Sequence, residues 1–228
     1  QVVYQFPYIE LNRHYIISTF QFLMQGSAIQ QPQGTVPEQG GHHGGHGGHP
    51  DHRLFGIALF LVAESSIFMG LFAAFLIYRT VVPVWPPEGT PELELLLPGI
   101  NTLILVTSSF VMHKGQDAIK KNDVSGLQLW FGITAVMGVI FLIGQMYEYF
   151  HLEMGLTTNL FASSFYALTG FHGLHVSFGL LLTLAVLWRS RKPGHYSSES
   201  FFGVEAAELY WHFVDVIWII LFILVYLL

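Results

Sequence analysis

From Leu160 to Trp188 the chain runs for nearly thirty residues without an aspartate, glutamate, lysine or arginine. A helix needs about 20 predominantly apolar residues to cross about 30 Å of hydrocarbon, so this stretch spans a membrane. At its middle stand His172 and His175, three residues apart and therefore on one helical face. An imidazole facing lipid is costly, so both must meet protein, a cavity or water. Two readings stay open for them: packed histidines with satisfied hydrogen bonds, or groups that handle protons or bind a ligand.

Composition supports the same class. Of the 228 residues 52% are hydrophobic and only 11% charged, against about 25% charged in a usual soluble domain. The absence of cysteine excludes disulfides, thiolate metal sites, iron–sulfur clusters and a copper–thiolate centre. A formal charge of −6, with nine basic residues scattered in short connections, leaves no footprint for nucleic acid. There is no serine or cysteine nucleophile pattern, phosphate loop or HExxH zinc motif.

Residues 1–52 read as an extension outside the membrane domain. Tyr15 to Met24 is too short to span, and its flanks lack the marks of a secretory signal, so it reads as interfacial or poorly ordered. Met24, followed by a polar run, is a candidate alternative start that would make the first 23 residues an added extension. Gly40 to His52 is a glycine-rich flexible linker carrying His42, His43, His46, His49 and His52, imidazoles able to hold zinc, copper or nickel weakly.

Residues 53–228 are expected to form an all-α integral membrane bundle of five transmembrane helices. The spans run from about Leu54 to Tyr78, Leu95 to Met112, Leu127 to Tyr147, Leu160 to Trp188, and Ala206 to Leu228. Trp85-Pro86-Pro87 stops the first helix in a rigid turn. Lys114, Asp117, Lys120, Lys121 and Asp123 read as a charged loop after the second span, and Glu148, His151 and Glu153 as a loop after the third. Small polar side chains in the second span, and Gly132, Gly138 and Gly144 in the third, suit close helix contacts.

Five crossings put the N-terminal segment and the connections after spans two and four on one side, with eight of the nine basic residues. The other side holds Arg79 alone. That asymmetry predicts a cytoplasmic N-terminus and a C-terminus outside. Glu64 then lies about 15 Å deep, at a depth similar to His172 and His175. A carboxylate there is expensive, so Glu64 is either neutral or faces a partner or water. His212 and Asp215, again three apart, sit closer to the cytoplasmic face.

These groups lie at unlike depths, which argues against a shared two-metal centre, and two mid-membrane histidines are too few for a haem-copper site. The chain alone is therefore expected to hold no redox metal. A small proton- or cation-coupled transporter is the competing class, but internal repeats and broken spans are missing from the sequence. An accessory membrane subunit fits better.

Several motifs, in order, carry a resemblance: Ala63-Glu64-Ser65, Val84-Trp85-Pro86-Pro87, Leu97 to Thr102, Gly144-Gln145 to Glu148-Tyr149, Thr169 to Val176, Glu205-Ala206-Ala207, and Tyr210 to Trp218. Over roughly Leu54 to Leu228 the chain resembles subunit III of the cytochrome c oxidases, in a five-helix bacterial form. The resemblance implies a subunit without metal that docks on subunit I and meets subunit II and cytochrome c through the complex. It implies bound phospholipid, support of proton uptake and protection during turnover, with haem and copper in partner subunits. Glu64 matches the family's membrane-embedded carboxylate, and His172, His175, His212 and Asp215 its buried polar positions. Longer members have two more helices that wall a lipid cleft. The corresponding subunit of quinol oxidases and an accessory protein of nitric oxide reductases are the nearest competitors.

Overall fold

Five helices long and apolar enough to cross a membrane follow one another along the chain: α1 His52–Val81, α2 Leu96–Lys120, α3 Val124–His151, α4 Leu160–Ser190 and α5 Phe202–Phe222, the last continued by a π-helical segment Ile223–Leu227. They come from a computed structural model that describes residues 52–91 and 93–228. The short apolar segment at Tyr15–Met24 and the tract histidines His42, His43, His46 and His49 lie outside the described residues. His52, read as the end of the linker, is the first residue of α1.

The all-α expectation holds, whereas two loops are shorter than their charges suggest. Helix α2 runs to Lys120, two turns past the apolar segment, because Lys114, Asp117 and Lys120 are compatible with a helix that has left hydrocarbon. Asp117 and Lys120 pair at 3.8 Å on consecutive turns, and the Lys114 ammonium lies 4.8 Å from the ring centroid of Trp130. Helix α3 likewise runs to His151 and takes Glu148 inside.

Local chemistry sets the helix starts. The Asp123 carboxylate accepts the Gly126 N–H at 2.8 Å and the Asn159 side chain accepts the Ala162 N–H at 2.8 Å, each satisfying a donor that the first turn leaves free. Between α2 and α3, Asn122 takes a left-handed φ of 59°. Its amide reaches Ser198 in the α4–α5 connection, donating to the hydroxyl at 2.9 Å and accepting the backbone N–H at 2.7 Å.

Helices α2, α3, α4 and α5 close on one another, α2 and α4 each packing on both α3 and α5. Two tryptophans of α5 sit at the centre, Trp211 and Trp218, two turns apart and essentially buried. An indole N–H needs an acceptor when no water is present. Trp211 donates to the Ser108 hydroxyl and Trp218 to the Thr102 hydroxyl of α2, each at 2.9 Å. A Cβ at Gly138 of α3 would come within 2.7 Å of the Trp211 ring, and one at Gly144 would run into the Asn101 side chain. These two glycines permit close approach, but Gly132 has nothing within 4 Å and serves no such contact.

Helix α1 lies outside this group, against α4 and α5. Its fully covered residues are Phe68, Phe72 and Phe75, on one stripe, while Phe55, Leu59, Val62, Ile67 and Met69 remain exposed. In hydrocarbon such side chains incur no penalty, and they are available to lipid or to another protein.

Candidate functional site

The five polar residues singled out in the sequence fall into three separate places. Glu64 of α1 and His175 of α4 meet directly, carboxylate Oε2 to imidazole Nε2 at 3.0 Å. The other ring nitrogen, Nδ1, donates to the Phe171 carbonyl at 2.8 Å. The ring stands edge-on to Phe68 and Phe171, with centroids 4.8 and 4.6 Å away. This pair borders a recess of about 230 Å³ lined also by Phe60, Leu174, Phe178 and Tyr210. The recess opens on the flank where α1 meets α4 and α5, near the middle of both α1 and α4.

His172 turns away from that flank into the core. Its ring is fully buried, tilted against Trp218 at 4.8 Å and edge-on to Phe141 at 5.9 Å. Neither ring nitrogen has a hydrogen-bond partner among the described residues. The two histidines share a helix but no site.

His212 and Asp215 are joined through a residue of another helix. The Ser109 hydroxyl of α2 donates to the Asp215 carboxylate and receives His212 Nδ1 at 2.9 Å. The two are linked through this serine, because side chains three apart on α5 both reach α2. The other face of His212 meets Glu208, Nε2 to Oε1 at 3.5 Å, and the same oxygen lies 2.7 Å from His113 Nδ1. Glu208 is 4% exposed.

Sequence reasoning passed over Ser109, His113 and Glu208. The signal for Glu208 was its spacing, one turn before His212 on the same face. Nothing in the sequence marked His113, which meets Glu208 only across the helix interface. With its ligand atom, one from Glu208 and one from His212, it completes a group within 4.8 Å of one another.

Glu148 is the other buried acid missed in the sequence, where it was placed in a loop. Its carboxylate accepts the Tyr226 hydroxyl at 3.0 Å and the Gln145 amide at 3.2 Å. Tyr226 reaches it from the π-helical end of α5, so this contact fastens the last turn of α5 to α3. Beside it the Tyr149 and Thr169 hydroxyls are 2.6 Å apart.

The family model for cytochrome c oxidase subunit III matches residues 5–228. The curated cytochrome c oxidase subunit 3 of Synechocystis sp. is 77% identical over 194 residues, covering 85% of this chain and 82% of its own length. That of Thermostichus vulcanus is 58% identical over 205 residues, with 90% and 98% covered. The subunit 3 of Rattus norvegicus is 36% identical over 179 residues, with 75% and 68% covered. With five continuous apolar helices and a matching family model over nearly its whole length, the chain belongs to the cytochrome c oxidase subunit III family.

Proposed function

We propose that the chain serves its cytochrome c oxidase as a subunit without a redox centre, docking on subunit I along the flank of α1, holding phospholipid there and supporting proton uptake and stability during turnover. As a member of this family it is a multi-pass protein of a bacterial membrane and part of an oxidoreductase complex. Reduction of oxygen by cytochrome c belongs to the assembled complex, with haem and copper in the partner subunits and electrons arriving through subunit II.

The observation that carries this reading is the Glu64–His175 pair beside a sideways-opening recess. A carboxyl group and an imidazole near the bilayer centre are tolerated when they pair and when protein or water covers what the pair leaves open. The Glu64 side chain is 21% exposed, so the described residues alone do not complete that cover. A partner helix on the exposed face of α1 would close it. Helices α1 to α4 are unbroken, which fits an accessory subunit better than a transporter whose site sits between half-helices.

A photo-crosslinking amino acid placed at Phe60, on the rim of the recess, tests the docking. Irradiation of the assembled oxidase should join this chain to subunit I. Adducts with phospholipid alone, or with a second copy of this chain, would refute docking on this face.

A further inference from the structure

We propose that His113, Glu208 and His212 form a binding site for a divalent cation of the zinc class, tying the C-terminal half of α2 to the second and third turns of α5. The proposal does not depend on which partner covers α1. Two imidazole nitrogens and a carboxylate are a donor set that zinc accepts, usually in tetrahedral geometry with water as the fourth ligand. Ligand atoms about 2.0 to 2.1 Å from such an ion stand about 3.3 Å apart. Glu208 Oε1 lies 2.7 Å from His113 Nδ1 and 3.5 Å from His212 Nε2, and all three ligand atoms lie within 4.8 Å of one another, so side-chain rotations bring them to that separation.

The groups behind the ligands orient them. Ser109 has a single hydroxyl hydrogen and gives it to Asp215, so His212 Nδ1 must itself donate to Ser109. In the neutral ring the lone pair is then on Nε2 and points at the Glu208 carboxylate. Two acceptors facing each other at 3.5 Å are satisfied by a proton on Nε2 or by a metal cation between them. His113 has a second carboxylate on its far side, Asp117, 3.8 Å from Nε2. Metal-ligating imidazoles are held by such outer hydroxyl and carboxylate partners.

A separate observation points the same way. Glu208 Oε2 is buried and has no hydrogen-bond partner among the described residues, although the side chain is only 5% exposed. A buried carboxylate oxygen with nothing to accept from is costly. An ion shared across the carboxylate satisfies it where a hydrogen bond from His113 to Oε1 alone does not. The His113 side chain, 56% exposed, leaves a path for the ion to enter.

The test uses the purified oxidase complex with the five tract histidines His42, His43, His46, His49 and His52 replaced by alanine, so that the linker cannot compete. The complex is stripped with a chelator, loaded with Zn²⁺ alone and washed, and zinc is counted by mass spectrometry. The complex should hold one more zinc than the same protein with His113→Gln or Glu208→Gln. Its zinc K-edge fine structure should show two imidazoles, and Ser109→Ala should weaken retention about 10- to 100-fold. His113 is exposed, so His113→Gln reports on binding even where Glu208→Gln disturbs assembly. Equal zinc in the parent complex and in His113→Gln, or an all-oxygen zinc environment, would overturn the proposal.

Discussion

At the Glu64–His175 contact the far side of the imidazole decides what the acid must do. The Phe171 carbonyl can only accept, so His175 Nδ1 carries a hydrogen, and one further proton sits between Nε2 and the Glu64 carboxyl group. A glutamine can donate its amide hydrogen to the same nitrogen. Glu64→Gln should therefore keep the chain in the purified complex, whereas Glu64→Ala strands Nε2 and should cost about 1 to 3 kcal/mol, read as a lower thermal midpoint and partial loss of the chain on washing. His172 calls for the opposite experiment. Both of its nitrogens are buried without partners among the described residues, between Trp218 and Phe141. An apolar side chain of similar size removes that penalty, so His172→Leu should leave the thermal midpoint unchanged or raise it; a drop equivalent to more than about 2 kcal/mol would mean that the ring is hydrogen-bonded after all. The sequence made the two histidines look alike. Three residues turn a helix to within about 60° of its starting direction, enough to send one ring to α1 and the other into the core, and which neighbour each meets is decided by packing that spacing does not encode.

The order and number of the helices were legible because hydrocarbon imposes a long apolar run on each of them. Their ends were not, since a helix leaving the membrane can continue through charged residues, as α2 does through Lys114 and Lys120 and α3 through Glu148. Contacts between helices were legible only as residue types. Gly132, Gly138 and Gly144 are equivalent in sequence, yet Gly138 faces Trp211 and Gly132 faces open space. Trp211 cannot swing aside without giving up its 2.9 Å bond to Ser108 in a core where it is 1% exposed. Gly138→Ala should accordingly destabilise the bundle by about 1 to 3 kcal/mol through overpacking. Gly132→Ala, with room for the methyl group, should be neutral or gain up to about 1 kcal/mol from better helix propensity. Detergent-solubilised melting curves of the two variants, compared in one experiment, separate packing from propensity.

For the whole molecule the decisive asymmetry is between the two ends of the bundle. Among the described residues, the end that carries the α2–α3 turn, the α4–α5 connection and the start of α1 holds seven of the eight lysines and arginines, and the other end holds Arg79. Positive residues are retained on the cytoplasmic side during insertion, so the orientation we propose puts this basic end in the cytoplasm. The same end carries His113, Glu208 and His212, which means that an ion bound there would come from the cytoplasmic pool. Because the chain has no cysteine, a single introduced thiol reports one position without background. Glu199 in the α4–α5 connection and Thr157 in the α3–α4 connection are both exposed and lie at opposite ends. A membrane-impermeant maleimide added to intact spheroplasts should label Thr157→Cys at once and Glu199→Cys only after lysis. Inside-out vesicles should reverse the pattern. Labelling of Glu199→Cys in intact spheroplasts would invert the bundle, move the His113 cluster to the outer face, and make the metal supply there that of the external medium.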